Sequence, residues 1–261
     1  MADPTREQVE EAIKTYIEPH LETDLVSAKS VKDVKIDGGK VGVDLQLGFP
    51  AKGIHDELIA AVKAAVEAVD GVTGCEVTLE TKVQAHSVQK SLKPIDNVKN
   101  IIAIASGKGG VGKSTTAVNL ALALSAEGGR VGILDADIYG PSQPRMLGIS
   151  GKPESKDGNT LEPMMSYHLQ AMSIGFLIDE ETPMIWRGPM VTQALEQLLN
   201  DTNWEELDYL VIDLPPGTGD TQLTLAQKVP VSGAIIVTTP QDIALLDARK
   251  GFKMFEKVEV P

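Results

Sequence analysis

The chain has 261 residues, 42% of them hydrophobic and 23% charged, which is the balance of a water-exposed globular protein with room for one large or two small cores. Its formal net charge of −13 argues against a general nucleic-acid-binding surface, which needs basic patches. A single cysteine, Cys75, excludes an intrachain disulfide and a cysteine-pair metal site.

The N-terminal residues Met1 to Glu7 lack the basic and apolar segments of a signal peptide, and no apolar run approaches the roughly 18 residues of a membrane span. A cytoplasmic protein without membrane partners is the expectation. Thr5-Arg6-Glu7-Gln8 has the form of a capping box, and Val9, Ala12, Ile13, Tyr16 and Ile17 mark one helical face after it. Val34 and Ile36 lead to the turn Asp37-Gly38-Gly39-Lys40, and Val41, Val43, Leu45 and Leu47 alternate as in a half-buried strand; the two runs are expected to pair as a hairpin. Leu58, Ile59, Val62, Ala65, Val66 and Val69 form a second amphipathic pattern. Cys75, Val77, Leu79, Thr81 and Val83 form a third strand, in which Cys75 reads as a small core residue. The order α-β-β-α-β predicts a small α+β domain over residues 1–84. Residues 85–97 are polar, carry Pro94 and lack clear periodicity, so they read as a linker.

From residue 98 the pattern changes. Ile101 to Ala105 is an apolar run of the kind a buried parallel strand needs, and it enters Gly107-Lys108-Gly109-Gly110-Val111-Gly112-Lys113-Ser114-Thr115. This stretch fits G-x-x-x-x-G-K-[ST], with Ala117, Leu120, Ala121 and Leu124 continuing at helical spacing. Strand, glycine loop and helix start are the context that makes the pattern meaningful. The backbone N–H groups of residues 107–115 are expected to cradle a phosphate at the helix N-terminus, Lys113 to reach the β- and γ-phosphates, and Ser114 to ligand Mg²⁺.

Further buried strands are expected at Val131 to Leu134, Leu169 to Ile174, Tyr209 to Asp213 and Ala234 to Thr238. Helices are expected around Val191 to Leu199, Thr221 to Lys228 and Asp242 to Lys257. Tyr139 to Ser150 reads as a loop. Apolar strands alternating with helices predict an α/β, doubly wound, mostly parallel sheet over residues 98–261. Ligands of such sheets collect at the carboxyl ends of the strands. Asp213 follows one strand and is a candidate Mg²⁺ ligand. Asp135 and Asp137 follow another, with Asp135 expected closer to the metal and Asp137 expected to position the attacking water. The histidines His20, His55, His86 and His168 have no metal-ligand spacing, and Met164 and Met165 read as packing.

Two resemblances sharpen this reading. The second residue of the loop, Lys108 between two glycines, resembles the deviant phosphate-loop ATPases that include MinD, ParA and the nitrogenase iron protein. That likeness implies that Lys108 acts across a homodimer on the partner's nucleotide. Asp135-Ala136-Asp137-Ile138-Tyr139-Gly140-Pro141-Ser142, Trp186-Arg187-Gly188-Pro189-Met190, Asp213-Leu214-Pro215-Pro216-Gly217-Thr218-Gly219-Asp220 and Thr239-Pro240-Gln241-Asp242 resemble the Mrp/ApbC family of iron-sulfur cluster carrier ATPases. The N-terminal segment is similar to the small iron-sulfur assembly domain often fused in front of bacterial members.

The family likeness implies an ATP- and Mg²⁺-dependent ATPase that loads [4Fe-4S] clusters onto apo iron-sulfur proteins, with cluster assembly factors as further partners. A rival expectation is a MinD- or ParA-like spatial organiser, and another is a nucleotide-dependent interaction module without a cluster. The family holds its cluster with a Cys-x-x-Cys in the C-terminal third. No such pair occurs here, so the chain is expected to be a piece of a longer polypeptide in which the sheet continues past Pro261. Relatives also often carry a cysteine after the second strand of the small domain, where this chain has Phe49-Pro50-Ala51-Lys52-Gly53.

Overall fold

The computed structural model describes residues 3–86, 92–177, 188–217 and 219–261. The chain divides into two compact units, Met1–Gln84 and Ala85–Pro261.

The first unit runs α1 (Arg6–Lys14), β1 (Ile17–Glu18), β2 (Thr23–Asp24), β3 (Val31–Asp37), β4 (Lys40–Leu47), α2 (His55–Glu67) and β5 (Gly74–Thr81). The capping box forms: the Thr5 hydroxyl accepts from Gln8 N–H and the Gln8 side chain accepts from Thr5 N–H. β3 and β4 are an antiparallel hairpin, and β5 joins β4 in parallel after the α2 crossover, giving the order β3-β4-β5. Gly39 sits in the hairpin turn at φ +85°, and a β-carbon there would strike the Gly71 carbonyl at 2.7 Å. The core follows from alternation. Val41, Val43, Leu45 and Leu47 turn to one side, where Val9 and Ile13 of α1 and Leu58, Val62 and Val66 of α2 cover them. Cys75 lies buried in this cluster, and burial pushes its thiol up. The short β1–β2 ladder was not legible, because two residues show no periodicity.

The second unit runs β6 (Val98–Ser106), α3 (Lys113–Ala126), β7 (Val131–Asp135), α4 (Gln143–Met146), β8 (Met164–Ser166), β9 (Leu169–Ser173), α5 (Gly188–Asp201), β10 (Leu207–Asp213), α6 (Asp220–Lys228), β11 (Gly233–Val237) and α7 (Asp242–Lys257). Its sheet has the order β11-β6-β10-β7-β9-β8, parallel throughout except for the antiparallel edge strand β8. Alternate residues feed two cores. Ile101, Ala103 and Ala105 of β6 with Leu210 and Ile212 of β10 face Leu195, Leu198, Leu225 and Phe255 of the helices α5, α6 and α7. Ile104 and Val211 face Ala117, Val118 and Ala121 of α3. Helices on both faces make the sheet doubly wound, as expected.

One expected loop contains a helix. Within Tyr139 to Ser150, α4 starts with Pro144 in its first turn. Proline there has no intrahelical N–H to lose and its φ is already helical, so it opens this helix although it reads as a loop marker.

Candidate active site

Three strand ends bring the site together. Asp213 at the end of β10 is in register with Asp135 at the end of β7, and Asp135 with Ser173 at the end of β9. These residues form a row across adjacent parallel strands at their carboxyl ends. Beyond the strands the backbone ladder continues: Leu214 N–H donates to Ile104, Gly217 N–H to Ser106 and Ala136 N–H to Asp213. Those bonds draw the segment after Asp213 toward the start of the glycine loop.

The loop has the backbone the motif requires. Gly110 lies at φ +75° and Gly112 at φ +92°, in the left-handed region that glycine adopts without strain. Gly112 precedes α3, whose first residue is Lys113. A β-carbon at Gly107 would meet the Asp247 side chain at 2.6 Å and the α7 backbone at 2.7 and 2.9 Å, so glycine lets the last helix pack onto the loop. Val111, Ser114 and Lys108 are half-buried; Gly109, Gly110 and Thr115 are exposed.

Lys113 is buried, which is expensive for an ammonium unless it is paired. Its Nζ lies 2.5 Å from Asp213 Oδ1, 3.5 Å from Asp137 Oδ2 and 3.4 Å from Ser114 Oγ. The structure therefore gathers Lys113, Ser114, Asp137 and Asp213 around one point. Asp213 is fully buried. Burial pushes Asp137 above the ordinary carboxylate range, and the Lys113 charge opposes that rise.

Asp135 lies beside this group but is directed elsewhere. Its Oδ2 accepts from the backbone N–H of Ser142 and Gln143 and from the Ser173 hydroxyl, and its Oδ1 accepts from Asp137 N–H. The four donors commit both oxygens to shaping the 136–143 loop. Burial pushes Asp135 up to about 7, with the neighbouring Asp213 charge adding and these hydrogen bonds opposing.

Three residues of this neighbourhood were not anticipated. Gln143 is buried, and its Nε2 donates to the Ser114 carbonyl at 3.0 Å and to Asp213 Oδ2 at 2.9 Å. Ser173 reaches Asp135. Gln222 of α6 donates to the Pro215 carbonyl and fixes the segment after Asp213. A polar residue ending an apolar strand was the available signal for Ser173; for the glutamines, periodicity offered none. Trp186, Arg187 and Thr218 lie outside the described residues.

Residues 97–261 match the family described as NUBPL iron-transfer P-loop NTPase, and residues 6–79 match the iron-sulfur cluster assembly protein family. The chain belongs to the iron-transfer P-loop NTPase family. It is 50% identical over 258 residues to the iron-sulfur cluster carrier protein of Haemophilus influenzae, covering 97% of this chain and 69% of that protein. It is 47% identical over 230 residues to the iron-sulfur cluster transfer protein NUBPL of Mus musculus, covering 87% of this chain and 69% of that protein. Among solved structures it is similar to a nucleotide-binding protein from Archaeoglobus fulgidus in complex with ADP, with 40% identity, a TM-score of 0.55, and coverage of 63% of this chain and 64% of that one. The glycine loop lies between β6 and α3, within the residues that match the family.

Proposed function

We propose that the protein is an ATP-dependent iron-sulfur cluster carrier, working in the cytoplasm as a homodimer and delivering [4Fe-4S] clusters to apo-proteins. The observation that carries the reading is the convergence of Lys113, Ser114, Asp137 and Asp213 at the helix start behind a loop with Gly110 and Gly112 at positive φ. Family membership and the carrier relatives support the cargo.

Phosphoryl transfer needs positioning and charge neutralisation more than covalent chemistry. The backbone N–H groups of residues 107–115 bind the phosphates. Lys113 exchanges its carboxylate partners for the β- and γ-phosphate oxygens, and Lys108 reaches the nucleotide of the second subunit. The donors suit magnesium: Ser114 and Asp213 offer hard oxygens, and this ion takes one or two protein ligands beside phosphates and water. Asp135, whose oxygens are held by the 136–143 loop and Ser173, would back the metal site from beside Asp213, and Asp137 would orient the attacking water. Bound magnesium neutralises the phosphate charge.

The cluster is the cargo. Cys75 is the single cysteine and is buried, and no cluster of three or more metal-ligating side chains occurs among the described residues.

The test pairs phosphate release from Mg·ATP with activation of an apo [4Fe-4S] reporter enzyme after anaerobic loading with ferrous iron and sulfide. Magnesium-dependent turnover with nucleotide-sensitive activation is expected. Turnover without cluster uptake or reporter activation replaces the carrier with the interaction module. No turnover at all removes the ATPase.

A further inference from the structure

We infer that Gln143 is a positioning residue of the hydrolytic site, holding the Asp213 carboxylate in place when Lys113 turns to phosphate. The inference rests on the ATPase reading above and adds a residue that neither the loop motif nor the strand-end acids contain.

Gln143 joins three separate chain segments. Its backbone N–H is held by Asp135 Oδ2 at 2.9 Å, which anchors it to the end of β7. Its side-chain Nε2 spans the Ser114 carbonyl in the first turn of α3 and Asp213 Oδ2 at the end of β10. Both bonds run to obligate acceptors, which fixes the amide orientation: the nitrogen must face them. The side chain is 2% exposed, and its Oε1 has no hydrogen-bond partner among the described residues. A buried glutamine that spends both amide hydrogens on a carbonyl and a carboxylate, with its oxygen unmatched, costs more than an apolar residue of the same shape unless the bonds serve something.

What they serve follows from the two oxygens of Asp213. Oδ1 faces Lys113 at 2.5 Å and Oδ2 faces Gln143. When the ammonium moves to the phosphates, Oδ1 loses its partner and the Gln143 bond remains to set the carboxylate's angle. The same amide ties that carboxylate to Ser114, so the two proposed magnesium donors stay in register. Its amide bonds run to the Ser114 carbonyl and Asp213, so in this reading it acts through Asp213.

The experiment compares Gln143→Met, which keeps length and loses the donor, and Gln143→Asn, which keeps the amide and loses the reach. ATP turnover, nucleotide affinity from fluorescent ADP titration and thermal melting are read on each. A charge-assisted hydrogen bond lost only from the reacting arrangement lowers kcat about tenfold to a hundredfold. Affinity for ADP, held by the loop backbone, stays within about threefold. Both variants losing kcat while melting like the parent supports the proposal. Either variant within twofold of the parent kcat overturns it and leaves the ATPase intact, as does a loss of kcat and affinity together by the same factor. If one variant fails to fold, the other decides by the same criteria, and if neither melts like the parent the side chain is structural and the proposal falls. Absence of turnover in the parent protein itself fells the ATPase reading and this inference with it.

Discussion

The two units treat charge in opposite ways. In the first, the sheet β3-β4-β5 is covered on one face, and its open face carries Lys35, Asp44 and Thr78 in contact with one another and with water. In the second, both faces are covered by helices, and buried charge is confined to strand ends: Asp135, Asp137 and Asp213 with Lys113 at the carboxyl ends, and Asp208 at the amino end of β10, where Lys99 and Arg130 pair it. A half-covered sheet can pair its charges where water screens them, whereas a doubly covered one has no such face. Buried charge in the second unit is concentrated where the chain leaves the sheet, which is also where the phosphate loop begins. Glu18 is the exception in the first unit. It is fully buried, and its Oε2 accepts from Leu21 N–H, which closes the turn between β1 and β2.

The sharpest way to break this contrast is to remove the charge at its centre. Lys113→Ala is expected to lower ATP turnover about 10²–10³-fold, the range for losing one preorganised electrostatic contact to the transition state. It also leaves Asp213 buried without its cation, so melting should drop together with turnover. Phosphate-release assays and thermal melts check both. Parent-like turnover would contradict the assignment of the loop.

The second prediction concerns pH. Asp135 sits at about 7 against an ordinary 3.8, so between those values the folded protein holds a proton that the unfolded chain has released. Stability therefore falls as pH rises from about 4 to about 7, by an amount on the order of 2–4 kcal/mol. Urea unfolding in the presence of a chelator at pH 5 and pH 7.5 measures it. Asp135→Asn should remove the slope, because an amide has no proton to release in this range. A slope that persists in that variant belongs to other groups.

A third, smaller effect separates glycines needed for space from those that are not. Gly107→Ala pushes a methyl into Asp247 and the α7 backbone, and overpacking of this kind costs about 1–3 kcal/mol. Gly109 has nothing within 4 Å of a β-carbon and no positive φ. Gly109→Ala should melt like the parent, while Gly107→Ala should melt lower and bind fluorescent ADP more weakly. Equal behaviour would show that α7 yields to the loop.

Much of this site was legible before the structure, for a physical reason. The loop motif is local: its glycines, lysines and serine lie within nine residues, so spacing alone marks them. The strand-end acids were legible because apolar runs terminate visibly. What escaped was contact between distant segments. Asp135 has the position of a metal ligand in the sequence, and only the fold shows its oxygens committed to Ser142, Gln143, Asp137 and Ser173. Gln143 meets Asp213 seventy residues away, a proximity set by the pairing of β7 with β10 and not by any pattern near either. The helix α4 was hidden because its proline reads as a breaker until its place in the first turn is known.

The smallest expected effect tests the other side of the contrast. Lys35 bonds Asp44 at 2.7 Å on the open face of the first sheet, and Thr78 donates to the same carboxylate. That pairing raises the Lys35 proton affinity and holds Asp44 below the usual carboxylate range, yet both groups are exposed to water. Screening and the entropy of holding a long side chain offset the attraction at such a site. Lys35→Ala is therefore expected to leave the melting temperature and ATP turnover at the parent values, measured side by side with Lys113→Ala. Two lysines, each within 2.7 Å of an aspartate, then differ in consequence because one pair lies in water and the other is buried at the end of a doubly covered sheet. A drop in turnover for Lys35→Ala would mean that the open face of the first unit takes part in the reaction cycle, and the division of labour drawn from burial would fail.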